Sequence, residues 1–171
     1  PLGEKAEPFS PNHLLNRLYM DDRRPRLLTG DASLSARTAV NELRAQAELF
    51  FSRLLDWILE QTPKLVPLRY TVPNHISNYL DGAIHHLANE LEQLIDDSSD
   101  SPDIHQEFKV IRKELLEQNH ILNQFFAMEQ KEYVYWFERQ GNDGKEISFH
   151  CIPVEIGSCL REILFENKEH F

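Results

Sequence analysis

The sequence predicts a mainly α-helical protein: a bundle of three long helices with a C-terminal β-hairpin and a short helix. Apolar residues recur every three or four positions over three long stretches, which is the spacing of one helix face. After Lys131 the pattern changes to β-branched and aromatic residues, and a Gly-Asn-Asp-Gly sequence follows. Such residues favour two strands joined by a turn.

The first third of the chain should contain a short helix and then the longest one. Ser10-Pro11 is typical of a helix start and predicts a helix to about Met20. The polar segment 21–32 contains Pro25 and Gly30 and is therefore predicted to be a loop. The long helix should begin near Ser33 or Ser35 and end before Pro63; its apolar face comprises Val40, Leu43, Ala47, Phe50, Phe51, Leu54 and Ile58.

An extended connector is expected next, because Pro63, Pro67 and Pro73 block a regular helix. A second long helix should cover residues 74–96, with Ile76 and Leu80 at the start of its apolar face. The third should start at Ser101-Pro102-Asp103, where a cap, a first-turn proline and an acid favour initiation, and run to about Glu129. Gln118 interrupts its apolar stripe, so packing there should be polar or displaced.

The C-terminal part is predicted to be a hairpin followed by a short helix. Residues 133–137 form the first strand, and Asp143-Gly144 favours a type I′ turn. The second strand alternates in polarity until Pro153, and residues 158–166 suit a short helix. Because an isolated hairpin is marginal in water, it should lie against the helices or belong to a larger sheet.

Three segments follow from this pattern. Residues 1–9 are expected to be a tag remnant and flexible N-terminus, 10–130 a helical domain, and 131–171 the hairpin and short helix. No apolar run is long enough to span a membrane, and no secretory signal is evident. Together with two cysteines, Cys151 and Cys159, which are expected to be reduced, this predicts a cytoplasmic protein.

The net charge of −10 argues against strong nucleic-acid binding, since such proteins usually carry a basic footprint. Two local groups remain as candidates for nucleic-acid contact. Arg23, Arg24 and Arg26 could bind phosphate, although a solvated loop with local ion pairs is the alternative. The second group is Lys64, Arg69 and Tyr70: aromatic stacking beside basic residues suits single strands, but Tyr70 could equally be a core residue.

No catalytic or metal-binding residue is predicted. The six glycines form no phosphate-binding loop, and the eight histidines and two cysteines lack the spacing of a structural zinc site. The carboxylates of residues 90–97 suit a solvated helix face. The aromatic run 133–137 is predicted to be a buried strand, with a base-stacking platform as the alternative.

The C-terminal stretch resembles a known family. An aromatic strand with Trp136, a short turn, a second strand, the step Pro153-Val154-Glu155 and the sequence Leu160-Arg161-Glu162-Ile163-Leu164-Phe165 occur in the order found in DinG-like and XPD-like DNA helicases. In those proteins this order precedes a Thr-Ser-Ala-Thr-Leu motif. The resemblance covers residues 133–171, and the helical part fits the arch domain by order and length.

The resemblance implies a non-catalytic accessory segment of an ATP-dependent DNA helicase of superfamily 2, acting in DNA repair or replication. It would shape or gate the passage for single-stranded DNA beside the other helicase domains. ATP and magnesium would be cofactors of the parent protein and not of this segment, which lacks the ATP-binding motifs.

Two other functions compete with this one. A free-standing helical interaction module could use its apolar stripes to dimerise or to bind an amphipathic helix. A hydrolase using the carboxylates and histidines has the least support, because no ordered nucleophile, base and acid pattern is present.

Overall fold

The computed structural model describes residues 11–21, 23, 26–98, 101–141 and 144–154. The predicted helix at 158–166 and the N-terminal segment 1–9 lie outside these residues. Within them, no helix is long and apolar enough to cross a membrane.

The described helices number four, so the expected bundle of three is corrected. They are α1 (Pro11–Leu18), α2 (Leu34–Gln61), α3 (Asp81–Asp97) and α4 (Pro102–Ala127), and a 3-10 turn (Asp31–Ser33) precedes α2. The short α1 belongs to the core because it buries an apolar face of Leu14, Leu15 and Leu18, each at most 3% exposed. Its Arg17 is also paired with Glu107 and Glu114 of α4, at 2.6 and 3.3 Å.

A three-stranded antiparallel sheet completes the fold, in the order β1 (Leu68–Tyr70), β2 (Tyr133–Gln140) and β3 (Glu146–Pro153). The hairpin is therefore confirmed, and the proline connector supplies a third strand that the sequence pattern did not predict. β1 is only three residues long and lies at the sheet edge, where neighbouring prolines are tolerated because an edge strand pairs on one side only. Its residues Leu68 and Tyr70 pair with Phe137 and Tyr135.

The hairpin turn is longer than the two-residue type I′ turn that was expected. Gln140 pairs with Glu146, which leaves residues 141–145 as the loop. Gly141 and Gly144 lie within it and have φ angles of 81° and 66°, values that favour glycine.

Helix α3 begins at Asp81, seven residues after the predicted start at Asn74. Asn74 has a left-handed backbone (φ 55°), and its N–H donates to the carbonyl of Phe126 at 2.7 Å. Asn78 then accepts a hydrogen bond from the N–H of Leu80 at 3.1 Å. The tertiary bond of Asn74 to α4 and the local bond at Asn78 satisfy backbone groups outside a helix, so the apolar Ile76 and Leu80 lie before α3 and not within it.

One hydrophobic core contains buried residues of both the helices and the sheet. Its centre is an aromatic cluster in which ring centroids lie 5.2–6.1 Å apart, formed by Tyr70, Phe125, Phe126, Phe137 and Phe149. Aromatic pairs of this kind contribute about 0.5–1.5 kcal/mol each beyond their burial. The inner face of the sheet is therefore held firmly on α4.

Candidate nucleic-acid interface

The face of the sheet turned away from the aromatic core carries one cross-strand row of Arg69, Trp136 and His150. The register pairs Arg69 with Trp136 and Trp136 with His150. Because successive side chains of a strand point to opposite faces, the row lies opposite the buried Tyr135, Phe137 and Phe149. The predicted run 133–137 is thus divided: alternate rings enter the core, while Trp136 belongs to the other face.

Trp136 and His150 form a parallel aromatic pair. Their ring centroids are 5.0 Å apart and their planes differ by 9°. Trp136 is half-buried and Arg69, on the edge strand, is exposed. The row therefore places a stacked aromatic pair beside a cation, which is the combination that single-stranded nucleic acids bind.

Two neighbours fix the His150 ring. The Ser148 hydroxyl lies 2.8 Å and the Glu138 carboxylate 3.2 Å from His150 Nε2. A serine-histidine-acid triad needs the hydroxyl and the acid on different ring nitrogens, and here both approach the same one. The Ser148 hydroxyl also donates to the carbonyl of Glu138 at 3.2 Å, and Ser148 is only 2% exposed. The arrangement suits orientation of the ring better than nucleophilic catalysis.

The second predicted group is split by the fold. Lys64 is exposed, and its carbonyl accepts a hydrogen bond from Arg139 of β2, which ties the connector to the sheet. Tyr70 is 2% exposed and lies in the aromatic core. Its hydroxyl accepts from the N–H of Ile76 at 3.2 Å, and burial raises its pKa. Of this group, Arg69 and Lys64 can reach a nucleic acid, whereas the ring of Tyr70 is enclosed.

The predicted arginine loop lies elsewhere. Arg23 and Arg26 are exposed; the backbone N–H of Arg23 donates to the Asp21 carboxylate at 2.9 Å, and the Arg26 guanidinium lies 3.5 Å from the sulfur of Met20. Arg24 is outside the described residues. In the described part of the chain, no hydrogen bond, ion pair or ring contact joins Arg23 or Arg26 to Arg69.

A second polar cluster connects α3 to α4. Asp81, the first residue of α3, accepts hydrogen bonds from Asn119 and Asn123 of α4 at 2.7 and 2.9 Å. Asn78 donates to the side-chain oxygens of the same two asparagines at 2.8 and 2.9 Å. The bond from Asn119, followed by that from Asn123 and the nearby His85, lowers the pKa of Asp81, while burial opposes the shift. Every polar group has a partner, so the cluster suits a structural connection.

No metal centre is formed by the described side chains, since no three histidines, cysteines, aspartates or glutamates converge among them. Cys151 is half-buried, and Cys159 lies outside the described residues.

Comparison with known protein families, characterised proteins and solved structures finds no match for this chain.

Sequence reasoning did not single out Trp136 and His150 as one site. The alternation of the strands was visible, and it would have placed both residues on one face if the register had been known. Their pairing depends on the five-residue loop, whose length the turn sequence did not reveal.

Proposed function

We propose that this chain is a non-catalytic accessory segment of a DinG-like ATP-dependent DNA helicase, where it shapes or gates the passage for single-stranded DNA. The observation that carries the proposal is the Arg69–Trp136–His150 row on the open face of the sheet. It falls within and beside residues 133–171, the stretch that resembles these helicases.

The spacing of the row suits one or two nucleotides. Neighbouring strands lie about 4.8 Å apart, so three side chains across three strands span roughly 10 Å. A base can stack on the half-buried Trp136, and the Arg69 guanidinium can contact a phosphate. Stacking is tolerant of sequence because every base offers a flat face, as strand passage requires.

Charge limits the affinity. Glu138 borders the row with a carboxylate that is 42% exposed, and the whole chain carries a net charge of −10. Both repel phosphate, so binding should be weak and should fall further as salt rises. Weak contact suits a segment over which a strand must move, with ATP and magnesium acting in the motor domains of the parent protein.

The two tryptophans of the chain permit a direct test. Trp57→Phe leaves Trp136 as the only tryptophan, and Trp136→Phe leaves Trp57. We expect a thymidine oligonucleotide to quench the fluorescence of the Trp57→Phe variant in a saturable, salt-sensitive manner and to leave the Trp136→Phe variant unchanged. Arg69→Ala should weaken binding, whereas Lys113→Ala, which removes an exposed charge on α4, should not.

This site would be refuted if the oligonucleotide quenched Trp57 but not Trp136. It would also be refuted if Arg69→Ala and Lys113→Ala lost the same affinity for the oligonucleotide. The helicase context is tested separately by the coding sequence on either side of this chain. A phosphate-binding loop and an Asp-Glu-Ala-His box upstream, with Thr-Ser-Ala-Thr-Leu downstream, would support it; their absence from a complete reading frame would overturn it.

A further inference from the structure

A cleft of about 450 Å³ lies between α2 and the segment that leads into α3. One wall is a strip of α2 with residues spaced by three or four positions, which includes Gln46, Phe50, Arg53 and Trp57. The other wall is formed by His75, Ile76, Ser77 and Tyr79. The cleft shares no residue with the Arg69–Trp136–His150 row.

The cleft exposes apolar side chains that the fold does not cover. Leu49 is 52% and Tyr79 70% exposed, although both are large. Trp57 lies half-buried at one end, with its ring centroid 5.6 Å from that of His75. Contiguous exposed apolar surface of this kind marks a binding site more often than isolated apolar residues do.

The charge of the cleft is opposite to that of the chain. Arg53 is exposed and makes no ion pair with any described residue. No carboxylate is among the residues that line the cleft. In a chain with a net charge of −10, an apolar cleft whose one permanently charged side chain is an arginine is complementary to an apolar ligand with a negative charge.

We propose that this cleft binds an amphipathic helix whose apolar stripe is interrupted or flanked by an acidic residue. The strip is long enough for such a helix: from Gln46 to Trp57 it covers about 16 Å at 1.5 Å per residue, which is three helical turns. A partner helix would insert apolar side chains at one-turn intervals along Leu49, Ile76 and Trp57. Its carboxylate would pair with Arg53 at the middle of the strip.

The test uses Trp57 as the reporter in the Trp136→Phe variant. The probe is a stapled helical peptide of about 14 residues with leucines at one-turn spacing and a central glutamate. A second peptide differs only by lysine in place of that glutamate. We expect saturable binding of the glutamate peptide, with a Kd of about 10–100 μM, and binding at least about fivefold weaker for the lysine peptide.

Charge reversal should invert this preference. Arg53→Glu should weaken binding of the glutamate peptide and strengthen binding of the lysine peptide. Lys113→Glu, on α4, should change the affinity for neither. Equal affinity for both peptides, or no saturable change up to about 1 mM, would overturn the proposal. Self-association of the chain that alters Trp57 fluorescence without peptide would assign the cleft to a second copy and would also overturn it. Oligonucleotide binding is read from Trp136, so either proposal can fail without the other.

Discussion

Asn119 offers the sharpest test of how the helices are held in register. It is 3% exposed, in a position of the α4 stripe that a helix usually fills with an apolar residue. Its amide donates to Asp81 at 2.7 Å and its oxygen accepts from Asn78 at 2.8 Å. Asn119→Ala removes both bonds and leaves their partners on the α3 side.

The expected cost follows from these contacts. A hydrogen bond to a charged group contributes about 1.5–3 kcal/mol, and a neutral one about 1 kcal/mol. Both partners keep a second bond to Asn123 at 2.9 Å, and the Asp81 side chain is 47% exposed, so water replaces part of what is lost. We therefore expect the free energy of unfolding to fall by about 2 kcal/mol, which lowers Tm by roughly 4–8 °C in a chain of this size.

Urea unfolding of Asn119→Ala, Asp81→Asn and the double variant would measure the coupling. We expect about 1 kcal/mol of coupling between Asn119 and Asp81, because the charge-assisted bond is lost in either single variant. His120→Ala, at the exposed neighbouring position of α4, is the control and should lie within about 0.5 kcal/mol of the unmodified protein. An Asn119→Ala cost equal to that of the control, or additive single effects, would refute the reasoning.

Three further outcomes are expected. Because the pKa of Asp81 is lowered in the folded state, its carboxylate stabilises the protein fully above its ordinary pKa of about 3.9, and this contribution is lost as pH falls through the folded-state pKa. Asp81→Asn should therefore reduce the loss of stability at acidic pH. Identical stability–pH curves for the two proteins at acidic pH would contradict this. Phe126→Ala should lower the free energy of unfolding by about 3–5 kcal/mol in urea, since the ring is 2% exposed at the centre of the aromatic cluster; a loss below about 1 kcal/mol would show that the cluster is loosely packed. Gly144→Ala should lower the free energy of unfolding by about 1–2 kcal/mol, because the φ of Gly144 is 66° and an added Cβ would lie 2.7 Å from Leu65 Cδ2. Adding Leu65→Ala should restore only the part of this loss that comes from the clash. Full restoration would show that the backbone conformation contributes nothing.

Helical periodicity predicted the elements that bury a continuous apolar face. Helix α2 was placed within a residue or two, and the third predicted helix matches α4, because both stripes are long and a proline marks one end of each: Pro63 follows α2, and Pro102 begins α4. Helix α3 was extended too far towards its N-terminus. The apolar spacing of Ile76 and Leu80 continues the stripe of the helix. The backbone there is instead satisfied by a tertiary bond from Asn74 to α4 and a local bond at Asn78, which periodicity alone does not predict.

The third strand shows a different limit. Residues 68–70 have no strand pattern of their own, being too short for alternation to be recognised. Their pairing with β2 is a tertiary contact between positions more than sixty residues apart, and it becomes favourable only when Tyr70 enters the cluster formed by Phe125 and Phe137. The same contact decides which candidate residues remain available, because it encloses Tyr70 and leaves Arg69 on the open face.

The polar interruption of the third helix was placed one residue early. Gln118 was identified as the break in the apolar stripe, whereas Asn119 occupies the buried position and Gln118 is half-buried. The expectation that a polar side chain packs at this point of the helix was correct, although the residue is Asn119 and not Gln118. Its partner could not be predicted, since Asp81 was assigned to the middle of a helix and not to the first turn, where its carboxylate meets α4.

Strand β2 links the two proposed sites without belonging wholly to either. On its inner side Phe137 meets the edge of Trp57, whose other neighbours line the cleft, with ring centroids 6.0 Å apart. On its outer side the preceding residue, Trp136, is stacked on His150. The strand is paired on both edges and its inner rings lie in the core, and these contacts constrain its backbone tightly. Coupling between sites needs an element with two arrangements, and β2 offers a rigid support instead. For the proposed nucleotide contact the outer row would thereby be preorganised: a base stacking on Trp136 would meet a ring already oriented by His150, and little of the stacking energy would be spent on ordering the site.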